Sequence, residues 1–163
     1  MRLGYRAPVA EIFNLHGDEW DRDEQRPGWI NRRAWVGRRI GADLIGATLC
    51  EVEPGSRLWP YHTHHANEEW LIVVSGEPTL RTPDGETRLS PGDVVAFTRG
   101  PGGLHQVRND SAERVRVLML STEIYPEVIE YADSGKVATV DAAGEDLLRI
   151  RPGAQLDYWD GED

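Results

Sequence analysis

The sequence predicts an all-β fold, a jelly-roll barrel built from two sheets. Short apolar and β-branched runs recur at close spacing along the 163 residues, and Pro-Gly or Asp-Gly turn signals separate them. No long amphipathic helical pattern interrupts these runs. Many short strands without intervening helices are typical of barrels and double-sheet sandwiches.

Each predicted strand is an extended run bounded by turn residues. In chain order the runs are residues 9–15, 29–36, 43–53, two runs between Pro60 and Gly76, 78–82, 87–89, 94–97, 105–109 and 113–121, with weaker candidates at 125–131 and 137–140. The acidic segment 16–27 is expected to be a loop. Residues 142–150 are expected to form a short C-terminal helix, with Asp141 as its N-cap. The last six residues, YWDGED, are expected to be exposed or disordered at the chain end.

Length and composition predict one domain, residues 1–163, with a core barrel over 43–121. An N-terminal arm, 1–42, and a C-terminal extension, 122–163, flank that barrel. The arm carries Trp20, Trp29 and Trp35, which are expected to pack either over the barrel mouth or against a second subunit. A homodimer is therefore expected.

Charge and cysteine content restrict the partners and the compartment. There are 28 acidic and 18 basic residues, a net charge of −10, which disfavours nucleic acid and anionic membrane surfaces as partners. No signal peptide or membrane-spanning run is recognised, so the protein is expected to be cytoplasmic. The single cysteine, Cys50, excludes an intramolecular disulfide and is expected to be a small buried hydrophobe.

The segment 60–76, PYHTHHANEEWLIVVSG, contains the strongest functional pattern. Side chains alternate between the faces of a strand, so His62 and His64 point the same way and Thr63 points the other. On the following strand Glu69 shares a face with Leu71 and Val73, whereas Glu68 lies on the opposite face. If the two strands enclose one interior, Glu69 faces the histidine pair.

A further histidine, His105, follows the segment LSPGDVVAFTRGPGGL and begins another extended run that ends at Asn109. A lone histidine on a strand is more often structural than a ligand, but this one stands in a suggestive context. Two groups of residues resemble the two sequence motifs of the cupin superfamily. The first group is Gly55, His62, His64, Glu69 and Gly76, and the second is Pro91-Gly92-Asp93, His105 and Asn109. The second motif departs from the pattern, because Thr98 stands where proline is usual and four residues separate Gly100 from His105 where two are expected.

The resemblance implies a cupin double-stranded β-helix with one divalent transition metal, Fe, Mn, Ni, Zn or Cu, held by His62, His64, Glu69 and His105. Such a nitrogen-rich set with one carboxylate suits these ions better than Ca²⁺ or Mg²⁺. His65 and Glu68 point away and are expected outside the site. Asn109 is expected to cap a turn, the alternative being that it supports a metal ligand. The remaining alternative is a hydrogen-bonded polar patch without metal.

Two functions remain open on these residues, with a structural subunit as a weaker third. The first is a metal-dependent enzyme, a dioxygenase, isomerase or lyase acting on a small organic acid, aromatic or sugar-like substrate, because the ligand set leaves open metal positions. The second is a non-catalytic module that binds or senses a metabolite. Gln106, Phe97 and Met119 are candidates to line the barrel beside the metal, together with the tryptophans.

Overall fold

The computed structural model describes residues 11–162. Within that range the secondary structure is strand apart from one four-residue helix and one 3₁₀ turn, which confirms the predicted all-β class. None of the described helices has the length and apolar character needed to cross a bilayer.

The elements follow one another at the close spacing that the turn signals predict. They are β1 (Arg22–Glu24), β2 (Asn31–Ala34), α1 (Val36–Arg39), β3 (Ile45–Val52), β4 (His62–His64), β5 (Glu69–Ser75), β6 (Thr79–Thr82), β7 (Gly85–Arg88), β8 (Val94–Phe97), β9 (Gln106–Arg108), β10 (Val115–Thr122), β11 (Glu127–Tyr131), β12 (Lys136–Val140) and β13 (Asp146–Ile150). The 3₁₀ turn spans Pro101–Gly103.

The strands form two layers. The first is a six-stranded antiparallel sheet in the order β1-β2-β3-β10-β5-β8. The second combines the sheets β13-β12-β11-β4 and β7-β6-β9, which a bridge between His62 and His105 connects. At this bridge each residue's N–H donates to the other's carbonyl, at 3.1 and 3.0 Å. The seam between the two parts of the second layer therefore passes through two of the predicted metal ligands.

The core lies on the inner face of the first sheet. Residues directly opposite each other in an antiparallel pair place their side chains on the same face. Val117 pairs with both Cys50 and Val73, and Met119 pairs with Leu71. All five side chains are buried, and each large apolar one stabilises the fold by about 1.5–3 kcal/mol. Cys50 is the buried hydrophobe that the sequence predicts.

The N-terminal arm covers the outer face of the same sheet. Trp20 packs against the apolar cluster that includes Leu49, so this tryptophan contacts its own sheet. Beside it, Glu51 is 4% exposed and accepts from Arg32 at 2.5 Å and from Arg116 at 2.6 Å. Arg116 also donates to the carbonyl of Gly17 at 2.8 Å, which ties the arm to the sheet.

Three local predictions are wrong. Residues 142–150 do not form a helix: Asp146–Ile150 is strand β13, paired with β12. Asp141 caps a turn and not a helix: its Oδ1 accepts hydrogen bonds from the backbone N–H groups of Ala143 (2.8 Å) and Glu145 (2.9 Å). The acidic loop contains strand β1, and the strand expected over 9–15 is absent from residues 11–15, while residues 9 and 10 lie outside the described part.

The segment expected as a C-terminal extension supplies β11, β12 and β13 to the second layer. Strand β11 pairs with β4 in a register that sets Ile129 opposite His64 and Tyr131 opposite His62. This pairing brings residues from the last quarter of the chain beside the predicted metal site.

Candidate metal centre

The four predicted ligands lie on adjacent segments of the barrel interior. His62 and His64 lie at the two ends of β4, Glu69 begins β5, and His105 precedes β9. Strand alternation turns Thr63 away from the histidines, and its hydroxyl donates to the carbonyl of Gly100. Two histidines thus reach one point from a single three-residue strand.

The side chains converge closely. His62, Glu69 and His105 each offer one ligand atom, and these atoms lie within 4.8 Å of one another. His64 lies outside that mutual group, but its Nε2 is 3.3 Å from Glu69 Oε2, the same oxygen that His105 Nε2 approaches at 3.3 Å. His105 is 2% exposed, so the site is closed to solvent on its side.

Backbone carbonyls set the tautomers of two histidines. His62 Nδ1 lies 2.7 Å from the Pro60 carbonyl oxygen, and His105 Nδ1 lies 2.9 Å from that of Gly103. A carbonyl can only accept, so in the neutral ring Nδ1 carries the proton and Nε2 presents a lone pair. The Nε2 of His105 consequently offers a lone pair toward Glu69.

This arrangement leaves acceptors without a donor. Glu69 Oε2 and His105 Nε2 are buried and have no hydrogen-bond partner among residues 11–162. Two acceptors facing each other at 3.3 Å are unfavourable unless a proton or a cation lies between them. The donor set of imidazole nitrogens and one carboxylate oxygen fits a divalent transition metal, which would satisfy these atoms. The geometry favours this interpretation over a hydrogen-bonded polar patch.

For His62 and Glu69 the electrostatics favour the unprotonated forms that metal binding requires. Burial, together with the nearby His105 and His64 rings, lowers the pKa of His62 to about 4. Burial alone would raise the pKa of Glu69, but the His105 and His64 rings, when they are protonated, outweigh it and hold that pKa below its usual value.

A second carboxylate, Glu127 on β11, supports His64 and was not anticipated from the sequence. It is 2% exposed, and its Oε2 lies 3.6 Å from His64 Nδ1. Burial alone would raise its pKa, but His64, the Ala66 amide and the Asn67 side chain outweigh it and lower the pKa to about 2. A carboxylate behind a metal-binding histidine orients the ring and makes it a better ligand.

Further hydrogen bonds hold Glu127 in place: its Oε1 accepts from the backbone N–H groups of His65 (3.0 Å), Ala66 (3.0 Å) and Val128 (2.8 Å). The only signal for it in the sequence is the alternation of residues 127–131, EVIEY, which puts Glu127, Ile129 and Tyr131 on one face.

Aromatic rings border the site. Phe97 stacks on His105 with 3.8 Å between ring centroids, and Tyr131 stacks on His62 at 6.1 Å. Of the residues predicted to line the barrel beside the metal, Phe97 contacts the His105 ring, whereas Met119 belongs to the apolar core. Gln106 is also buried, on the strand face opposite Val107, where it lines a cavity and its Nε2 donates to the Trp59 carbonyl at 2.9 Å.

The residues expected outside the site lie outside it. His65 contacts Glu130 at 3.1 Å on the surface, and Glu68 is exposed. Asn109 is fully buried, and its amide donates to the carbonyls of Val52 (2.9 Å) and Glu113 (2.8 Å). It is therefore the turn-capping residue that the sequence predicts.

The glycine-rich insertion before His105 has a structural role. The 3₁₀ turn Pro101–Gly103 presents the carbonyl that holds His105 Nδ1. Gly103 packs so tightly there that a Cβ atom would lie 1.7 Å from the Thr98 carbonyl oxygen. Only glycine fits this position, so the departure from the usual spacing still orients the histidine.

Residues 48–121 match the family model of the cupin domain. The fold resembles the crystal structure of a protein from Acidithiobacillus ferrooxidans, provisionally named a sugar phosphate isomerase, with a TM-score of 0.71, 26% identity and coverage of 80% of this chain and 84% of that one. It also resembles a sugar phosphate isomerase of the cupin superfamily from Silicibacter pomeroyi, with a TM-score of 0.70, 28% identity and coverage of 78% of this chain and 81% of that one.

A cupin-like protein from Thermotoga maritima shares the fold at 19% identity, with a TM-score of 0.53 and coverage of 68% of this chain and 84% of that one. No curated protein matches the sequence.

Proposed function

This chain belongs to the cupin superfamily, and from that premise we propose that it is a metal-dependent isomerase of a phosphorylated sugar. The observation that carries the proposal is the buried set of acceptors around Glu69 Oε2, which a bound metal ion would satisfy. The cupin fold alone does not identify an activity, because it hosts many chemistries.

The choice of isomerisation is supported by similarity. Two structures named as sugar phosphate isomerases share 26% and 28% identity with this chain over most of both lengths. An interconversion of an aldose and a ketose needs polarisation of adjacent oxygens and a proton transfer between carbons, and it consumes no O₂. We therefore favour isomerisation over the dioxygenase and lyase chemistry that the same ligand set could serve.

The proposed ligands are His62, His64, Glu69 and His105. A bound divalent ion would act as a Lewis acid on the hydroxyl and carbonyl oxygens of the substrate. Three neutral imidazoles and one carboxylate leave a net positive charge at such a centre, which favours oxygens that become negative during the reaction. The carbonyls of Pro60 and Gly103 orient two of the rings before substrate arrives, and the low exposure of His105 limits access of water.

The first experiment measures metal content by elemental analysis after expression without added metal. We expect about one equivalent in the wild-type protein, and an affinity about tenfold lower or worse in each of His62→Ala, Glu69→Gln and His105→Ala. Glu68→Gln and His65→Ala remove matched side chains on the outer face of the same segment and should retain the metal. Equal metal content in all five variants would contradict the ligand set.

The second experiment incubates the metal-loaded protein with aldose and ketose phosphates in D₂O. We expect interconversion with solvent deuterium incorporated at the carbon next to the carbonyl, and no O₂ consumption. Stable binding of a sugar phosphate without conversion would instead support the non-catalytic binding module. Consumption of O₂ with an organic acid would support a dioxygenase and overturn the isomerase proposal.

A further inference from the structure

A cavity of about 760 Å³ adjoins the metal site without including any of the four proposed ligands in its lining. Its volume is in the range of small-molecule binding sites. Trp59 and Pro60 belong to its wall, and both also contact His62: the Trp59 ring centroid lies 6.4 Å from that of His62, and the Pro60 carbonyl accepts from it. An occupant of the cavity would therefore contact the segment that orients one metal ligand.

The cavity concentrates positive charge in an acidic protein. Arg26, Arg33, Arg57 and Lys136 all line it, and within residues 11–162 none has a carboxylate oxygen within 4.0 Å of its charged nitrogens. This lack of partners contrasts with the net charge of −10, which supplies many acidic groups. The lining also holds the acidic Glu24 and Asp133, but its seven basic residues outnumber these two, and such an excess of positive charge attracts an anionic ligand.

Two buried polar atoms in the same wall also lack partners. Asn31 and Arg33 are two residues apart on β2 and therefore share a face. Their cross-strand partners, Val52 and Cys50, show that this is the inner face of the sheet. Asn31 is 1% exposed and its Oδ1 accepts no hydrogen bond from the described residues, while the buried Nε of Arg33 donates none to them.

The orientation of the Asn31 amide is set by its own donor, because Nδ2 donates to the Trp29 carbonyl at 2.7 Å. The wall therefore contains one acceptor and one donor that no described residue satisfies.

We propose that this cavity binds a phosphate monoester of a small polyhydroxylated molecule. Arg33 and Arg57 supply guanidinium donors for the phosphate oxygens, which they can bind in a bidentate manner. Asn31 Oδ1 accepts from a hydroxyl of the same ligand, and the rings of Trp29 and Trp59 supply apolar walls. The choice of a sugar as the phosphate carrier rests on the proposed function, whereas binding of the phosphate itself does not.

Isothermal titration calorimetry at low ionic strength tests the proposal, with inorganic phosphate, fructose 6-phosphate and fructose as probes. We expect saturable binding at one site for the two phosphates, tighter for fructose 6-phosphate, and none for fructose. Arg57→Gln and Arg33→Gln should each weaken both by about tenfold or more. Arg38→Gln, at an exposed arginine outside this cavity that has no carboxylate oxygen within 4.0 Å among residues 11–162, is the matched control for charge and should bind as the wild type does.

Unsaturable binding, or an equal loss in the Arg38→Gln control, would overturn the proposal because both indicate non-specific attraction. Arg57 is exposed, so Arg57→Gln keeps the test valid even if replacement of the half-buried Arg33 impairs folding. The metal-site variant Glu69→Gln separates the two proposals. Phosphate binding in that variant, without isomerase activity in the wild type, would retain the cavity and reject the isomerase. Isomerase activity with an unchanged KM in Arg57→Gln would reject the cavity alone.

Discussion

The substitution Gly103→Ala tests whether the glycine-rich turn holds the metal site together. A Cβ at this position would lie 1.7 Å from the Thr98 carbonyl oxygen, far inside any real contact, so the backbone of the turn must move. The Gly103 carbonyl accepts from His105 Nδ1 at 2.9 Å, and a hydrogen bond of this kind weakens beyond about 3.2 Å. A shift large enough to relieve the clash also breaks this bond.

Two effects of measurable size follow. Overpacking in a buried position costs about 1–3 kcal/mol in the free energy of unfolding. Loss of the group that orients a metal-binding histidine lowers metal affinity by about 10- to 100-fold. Urea denaturation of the metal-free protein measures the first effect, and competition with a chelator measures the second.

The neighbouring Gly102 supplies a matched control. A Cβ there would approach the Thr98 hydroxyl oxygen at 3.5 Å, an ordinary contact. Gly102→Ala should therefore leave stability within about 0.5 kcal/mol of wild type and metal affinity unchanged. Wild-type metal affinity in a folded Gly103→Ala protein would refute the role assigned to this turn.

Three further predictions concern charged groups. Glu127→Gln keeps the shape of the side chain but removes the charge beside His64 Nδ1, and chelator competition should show a metal affinity about 10- to 100-fold lower. Wild-type affinity would contradict a supporting role for Glu127.

For Glu51, burial alone would raise the pKa, but its two arginine partners outweigh it and lower the pKa below the unfolded value of about 4.3. The stabilisation that ionised Glu51 gives the fold is therefore complete above the unfolded pKa and is lost as the pH falls through the folded pKa. The wild-type advantage over Glu51→Gln, about 1–3 kcal/mol at neutral pH, should shrink on acidification in urea denaturation series.

For His64, burial alone would lower the pKa, but Glu127 and Glu69 raise it, so NMR titration of the metal-free protein should show proton uptake by this ring beginning above pH of about 6.5, and Glu127→Gln should lower that pKa. A His64 pKa below about 6.5 in the metal-free protein would contradict the influence assigned to these two carboxylates.

Much of the candidate site could be predicted from short stretches of sequence. The alternation of β4 and β5 is a local property of extended chain, so it correctly oriented His62 and His64 and distinguished buried Glu69 from exposed Glu68. The turn signals likewise located Val94–Phe97 without error. These features depend on residues within a few positions of each other, and for that reason a single sequence contains them.

The local pattern failed where distant partners decide the structure. Residues 142–150 follow a capping aspartate, Asp141, and carry acidic residues near their start, which favour a helix locally, yet β13 pairs with the edge of β12. The hydrogen bonds of that pairing satisfy the backbone in the extended state, and no property of the segment alone reports that an open strand edge is nearby.

The sequence by itself thus determined the all-β class and the direction of the site's side chains, because both follow from a two-residue period. Glu127 and His64 are 63 positions apart in the chain. Only the tertiary structure placed Glu127 behind His64, through the pairing of β11 with β4. It alone also gathered Arg33, Arg57 and Lys136 around one cavity. Long-range strand pairing and the burial of charge are properties of the assembled sheets, so neither is encoded within one strand.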